Sequence, residues 1–215
     1  LSVSSAASDV YKRQVPTFKK EEENYKEAAK ILKESGADLL VLEMLLDVDH
    51  SKILLNAALE TGLPVWVGLS CCDSKFDNSV IGRNFRAEKE KSLIYDENKY
   101  KDQPKYLPED KIILLEDIIK SLTSLGGDVY GIMHTWFQDS IGGLKILKNN
   151  WKGPIMFYPE IHKFDTNTHK AIITMTEEEF SNSILELIDD QIQIVGGCCG
   201  VNDKHLKRLI QSISG

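Results

Sequence analysis

Residues 128–158 read DVYGIMHTWFQDSIGGLKILKNNWKGPIMFY, and their hydrophobic period changes twice. Asp128–Met133 is a near-continuous apolar run, the pattern of a strand covered on both faces. Gln138–Asn150 then spaces its apolar residues at helical intervals, and Pro154–Tyr158 returns to a short apolar run. Strand, helix and strand in so short a stretch predict a βαβ unit. Its strands must run parallel, because a helix crosses between them.

The alternation continues in both directions. Upstream, Lys20–Ser35 reads as a helix closed by Gly36, Asp38–Glu43 (DLLVLE) as a buried strand, Asp47–Thr61 as a helix and Pro64–Ser70 (PVWVGLS) as a strand. Pro108–Ser124 is a helix ending before Gly126-Gly127. Downstream, Thr176–Asp190 is a helix, Gln191–Val195 a strand and Asn202–Ile213 a last helix. Five βα units in succession predict an α/β fold with a parallel sheet and covering helices. Two architectures meet that description: a doubly wound open sheet, or a (β/α)8 TIM barrel entered at its fourth βα unit. No Gly-x-Gly-x-x-Gly follows a strand, which removes the usual dinucleotide fingerprint of the open fold. The polar connection Asp73–Leu107, with Arg83, Arg86 and the run RAEKEK, reads as solvated surface, part of which could cover a substrate.

The opening Leu1–Gln14 (LSVSSAASDVYKRQ) has neither the apolar core nor the basic start of a secretory leader. It reads as a translated sequencing-library adapter, so native protein is expected from Val15. Residues 15–215 would then be a barrel domain incomplete at its N-terminus.

Composition narrows the function. The chain has 215 residues with 26 Lys+Arg against 33 Asp+Glu, a formal charge of −7. A nucleic-acid partner would call for a basic surplus, which is absent. No stretch reaches the roughly 18–20 apolar residues of a membrane span. The four cysteines form two adjacent pairs, Cys71-Cys72 and Cys198-Cys199. Neighbouring Cα atoms lie about 3.8 Å apart, short of the roughly 4.4–6.8 Å of a relaxed disulfide. Reduced thiols in a cytoplasmic protein fit better.

Reactive groups of parallel barrels sit at the C-terminal ends of strands. Those ends carry Glu43; Ser70, Cys71 and Cys72; His134; Pro159 and Glu160; and Cys198 and Cys199. Thiols, imidazole and carboxylates on one rim make a candidate metal site. Successive side chains of a regular strand face opposite ways, so Cys198 and Cys199 can share an ion only where the backbone leaves that geometry. The flanking glycines of Gly196-Gly197-Cys198-Cys199-Gly200 permit it. The other reading is two small buried residues in a glycine-rich turn.

The segments ESGADLLVLEM (34–44), PVWVGLS (64–70), DVYGIMH (128–134), GPIMFYP (153–159) and IVGGCCGVNDKHLKRL (194–209), in this order, resemble the homocysteine S-methyltransferase family. The resemblance implies a (β/α)8 barrel represented by its fourth to eighth units. The family's early Asp-Gly-Gly and Thr-Asn-Thr-Phe motifs have no counterpart here. It further implies Zn²⁺ as cofactor, with Cys198 and Cys199 as two of three ligands and Glu43 binding the substrate's α-amino group. The activity implied is methyl transfer to the thiol of homocysteine, giving methionine. The partners would be a small-molecule thiol and a methyl donor. Two departures stand out: His134 occupies the place of the family's third cysteine ligand, and Glu160 follows Tyr158-Pro159 where relatives carry asparagine. His134 is taken as the third ligand, since Cys2His sites with an open position occur in catalytic zinc enzymes. Cys71 or Cys72 is a secondary candidate for that role, and His205 a capping or supporting residue. Trp136 and Phe137 are read as packing residues. His50, His162 and His169 are weak candidates. Another thiol or donor, or a non-catalytic zinc- or thiol-binding role, are the alternatives.

Overall fold

The computed structural model describes residues 17–73, 79–82, 113–165 and 170–214. Leu1–Gln14, most of the 73–107 connection, the start of the helix predicted from Pro108 and His169 lie outside the described residues. Thr17 caps helix α1 (Phe18–Glu34) by accepting from the Lys20 N–H, and Asp47 caps α2 (Val48–Leu59) by accepting from the His50 N–H. Strands β1 (Leu40–Leu45) and β2 (Val65–Leu69) flank α2. A hairpin follows, β3 (Cys71–Asp73) antiparallel to β4 (Val80–Gly82). Then come α3 (Leu115–Thr123), β5 (Val129–Trp136), α4 (Phe137–Asn150) and β6 (Ile155–Glu160). A second antiparallel hairpin, β7 (His162–Asp165) with β8 (Lys170–Ile173), precedes α5 (Glu177–Leu185), β9 (Ile192–Val195) and α6 (Asp203–Ser214).

The sheet order is β1-β2-β5-β6-β9, every pair parallel. The predicted parallel sheet is therefore present, as a wall of a (β/α) barrel. Residues in register on parallel strands share a face. One face carries Val67, Tyr130, Ile132, Phe157 and Ile192, which pack with helix residues Leu55, Leu115, Ile118, Leu147 and Phe180 in a single core. The opposite face is the barrel's inner side. There Gly68, Gly131 and Met156 lie side by side, and Met133 fills the space over Gly68. Glycine is needed at both positions, because a Cβ on Gly68 would strike the Met133 side chain and one on Gly131 the Met156 carbonyl.

One predicted helix is shortened, and two hairpins are added. The helix drawn to Asp190 ends at Leu185, because Asp189 Oδ1 accepts the N–H groups of Gln191 and Ile192 (3.0 and 2.9 Å) and turns the chain into β9. Neither antiparallel hairpin was predicted. The first of them buries both Cys71 and Cys72.

Burial holds the Cys71 thiol well above its ordinary value of 9.0. A group whose folded pKa is raised stabilises the fold below the unfolded value, and that contribution fades as pH climbs past it. Urea titrations from neutral pH to about pH 11 should therefore show the stability gap between wild type and Cys71→Ala narrowing as pH rises. A constant gap would contradict this account.

Candidate metal centre

His134 lies near the C-terminal end of β5 with φ of 47°, a left-handed value rare outside glycine. Strict alternation would send it to the helix side with Tyr130 and Ile132; the reversed φ breaks the alternation. The strand pairing is irregular at the same place, between Met133 and Trp136. Two hydroxyls hold the kink. Buried Ser70 donates to the carbonyls of Met133 and His134 (2.9 and 2.8 Å), and Thr135 Oγ1 donates to the Met133 carbonyl while accepting the Cys71 N–H (2.9 and 3.0 Å). The strained backbone at His134 is thus held by Ser70, between β2 and β3, and through Thr135 by Cys71 of β3. If so, His134→Gly and His134→Ala lose the same ring but differ in strain. The glycine variant should be more stable by about 1 kcal/mol in denaturant titration.

The cysteine loop is tied down by its backbone. Cys198 N–H donates to the Pro159 carbonyl, Ile161 N–H to the Cys199 carbonyl and Val201 N–H to the Cys198 carbonyl (3.1, 3.0 and 3.1 Å). Gly200 takes φ of 90°, which releases the chain from strand geometry just after the sulfurs. Both sulfurs consequently face His134.

His134 Nδ1 lies 3.4 Å from Cys198 Sγ and 3.7 Å from Cys199 Sγ, and the sulfurs are 3.8 Å apart. Tetrahedral zinc, with bonds of about 2.3 Å to sulfur and about 2.0–2.1 Å to nitrogen, has edges of about 3.8 Å (S–S) and about 3.6 Å (N–S). The three donors match one face of such a polyhedron, so these residues fit a zinc ion. Cys199 is exposed, which leaves the approach to that face open to solvent. Burial, followed by the neighbouring Cys199 sulfur, pushes the Cys198 thiol up to about 12, so metal binding must displace its proton.

Glu43 is half-buried on β1 and is not among the three donors. Burial, and then the Glu43 carboxylate, raise the Tyr158 phenol, and the Tyr158 ring lies beneath Gly196. Glu43 is thus close enough to Tyr158 for its charge to act on the phenol. It also lines a cavity of about 660 Å³ along β1, together with Asp47 and His50. Cys71 and Cys72 are in neither metal-competent group among the described residues. His50 is engaged away from the donors, with Nδ1 2.8 Å from both oxygens of Glu21. His205 is buried, with Nδ1 2.9 Å from Asn202 Oδ1 at the start of α6 and its ring edge-on to Phe180. It is a helix-end residue. Phe137 packs edge-on against Phe157 in the core.

Sequence reasoning undervalued His162. Glu160 Oε2 lies 3.5 Å from His134 Nδ1 and 4.0 Å from His162 Nδ1. The signal was present as Glu-x-His, because residues two apart on an extended chain share a face.

A sequence model described as homocysteine S-methyltransferase matches residues 2–92 and 114–213. No curated protein matches the chain. Among solved structures, the metallated form of the homocysteine methyltransferase MmuM from Escherichia coli superposes with a TM-score of 0.62 at 13% identity, covering 96% of this chain and 56% of that one. Its apo form gives a TM-score of 0.59 at 13% identity, covering 92% and 58%. The chain thus spans little more than half of the solved structures it resembles. At such low identity the superposition establishes the fold. The sequence match, which runs through the strands and loops that bear His134 and the two sulfurs, establishes the kinship: the chain belongs to the homocysteine S-methyltransferase family.

Proposed function

We propose that this protein catalyses zinc-dependent methyl transfer to the thiol of homocysteine, giving methionine, in the cytoplasm. The observation that carries the reading is the convergence of His134 Nδ1 with Cys198 Sγ and Cys199 Sγ at tetrahedral edge lengths. A zinc ion held there supplies the means to keep a substrate sulfur ionised at neutral pH, where a free thiol is largely protonated. The chain's own residues do the rest. The glycine loop presents both sulfurs on one side, and Ser70 and Thr135 keep the His134 ring aimed at them. Glu43 offers a carboxylate on the same rim to an ammonium group. Imidazole in place of a third thiolate makes the donor set one charge less negative, which strengthens the site as a Lewis acid.

The test combines metal analysis of the purified, reduced chain with assays on homocysteine and sulfonium or quaternary-ammonium methyl donors. Bound zinc with methionine formation supports the reading. Bound zinc with no transfer from any donor would assign a binding role instead. A different thiol acceptor is the second reading, favoured by the buried Glu160 carboxylate beside His134.

A further inference from the structure

Glu160 and His162 sit against the donors without a part in the chemistry above. Glu160 closes β6 with no exposed surface. His162 opens β7, where pairing with Ile173 fixes its backbone, and its Nδ1 is buried with no hydrogen bond among the described residues. One ligand atom each from Glu160, His162 and Cys199 falls within 4.8 Å of the others, just as for His134, Cys198 and Cys199. Cys199 belongs to both sets. The two sets are locked together, because Ile161 N–H donates to the Cys199 carbonyl and a Cβ on Gly200 would press on the His162 backbone nitrogen at 3.1 Å.

The geometry points to a second divalent-cation site made of Glu160, His162 and Cys199, joined to the first through the Cys199 sulfur. It rests on the first set being a metal site. Carboxylate, imidazole and thiolate together suit a borderline ion such as Zn²⁺ or Co²⁺. Paired ions in two-metal sites lie about 3.5–4 Å apart, a spacing that one bridging thiolate spans. Charge favours the second ion. With both thiols ionised on metal binding, the five donors carry three negative charges, and one dication leaves one uncompensated next to a fully buried carboxylate. A second dication leaves one positive charge, which an anionic sulfur ligand neutralises. The second set is also the looser one: its Glu160–His162 separation of 4.0 Å exceeds the about 3.3 Å edge of tetrahedral zinc with oxygen and nitrogen ligands. The second ion therefore binds after the first, and more weakly.

The test is a titration of the metal-free, reduced chain with Co²⁺, followed by sulfur-to-cobalt charge-transfer absorption, with metal content measured after dialysis against Zn²⁺. Wild type should take up two ions per chain in two phases. Glu160→Gln and His162→Gln should each stop at one ion, with the first, tighter phase intact and circular dichroism unchanged. One ion in wild type, or two ions in both variants, overturns the second site and leaves the first standing. No ion in wild type overturns both.

Discussion

Converting Cys198 and Cys199 together to serine is expected to remove bound metal and to lower methyl transfer by at least about a thousandfold, the scale on which a positioned, ionised nucleophile differs from a free one. The two sulfurs are two of the three donors at tetrahedral spacing. A serine hydroxyl does not ionise to replace them. The backbone bonds of the loop, to Pro159, Ile161 and Val201, do not involve the sulfurs, so the fold should survive. Ligands that bind only the folded state raise its stability by mass action. Zinc should therefore raise the melting temperature of wild type and leave that of the double variant unchanged. Metal retained by the double variant after dialysis would dismiss the site.

Replacing Gly131 by valine should destabilise the chain by about 3 kcal/mol or more, read from denaturant titration. Gly131 sits in register between Gly68 on β2 and Met156 on β6. The added side chain meets the backbone carbonyl of Met156 as well as its side chain, and a paired strand cannot move aside as a flexible side chain can. The comparison variant is Ile132→Val, one residue along on the helix-facing side. It removes a single methylene from the core and should cost only about 0.5–1.5 kcal/mol. Equal losses in the two variants would mean that the inner face is not closely packed.

Reading periodicity located nearly every helix and strand of the parallel sheet, because each depends on residues close in the chain. Thr17, Asp47 and Thr176 also mark three helix starts by their own side chains. What escaped were the two hairpins and the early end of α5. The hairpins depend on partners outside the local window, Cys71 on Gly82 and His162 on Ile173. By contrast, α5 ends at a local turn in which Asp189 accepts the N–H groups of Gln191 and Ile192, a signal the helical period masked.

The site divides along the same line. Sequence alone determined the order of elements, the parallel sense of the sheet and the presence of vicinal sulfurs between glycines, since these follow from local spacing and residue type. Tertiary structure alone decided that an imidazole 64 residues from Cys198 comes within 3.4 Å of its sulfur. That meeting needs a left-handed backbone at His134, secured by hydroxyls of Ser70 and Thr135. It also needs a glycine loop pinned to the end of β6, which brings Glu160 and His162 to the same place. Local preference disfavours the first of these conformations, so only contacts between distant strands can pay for it.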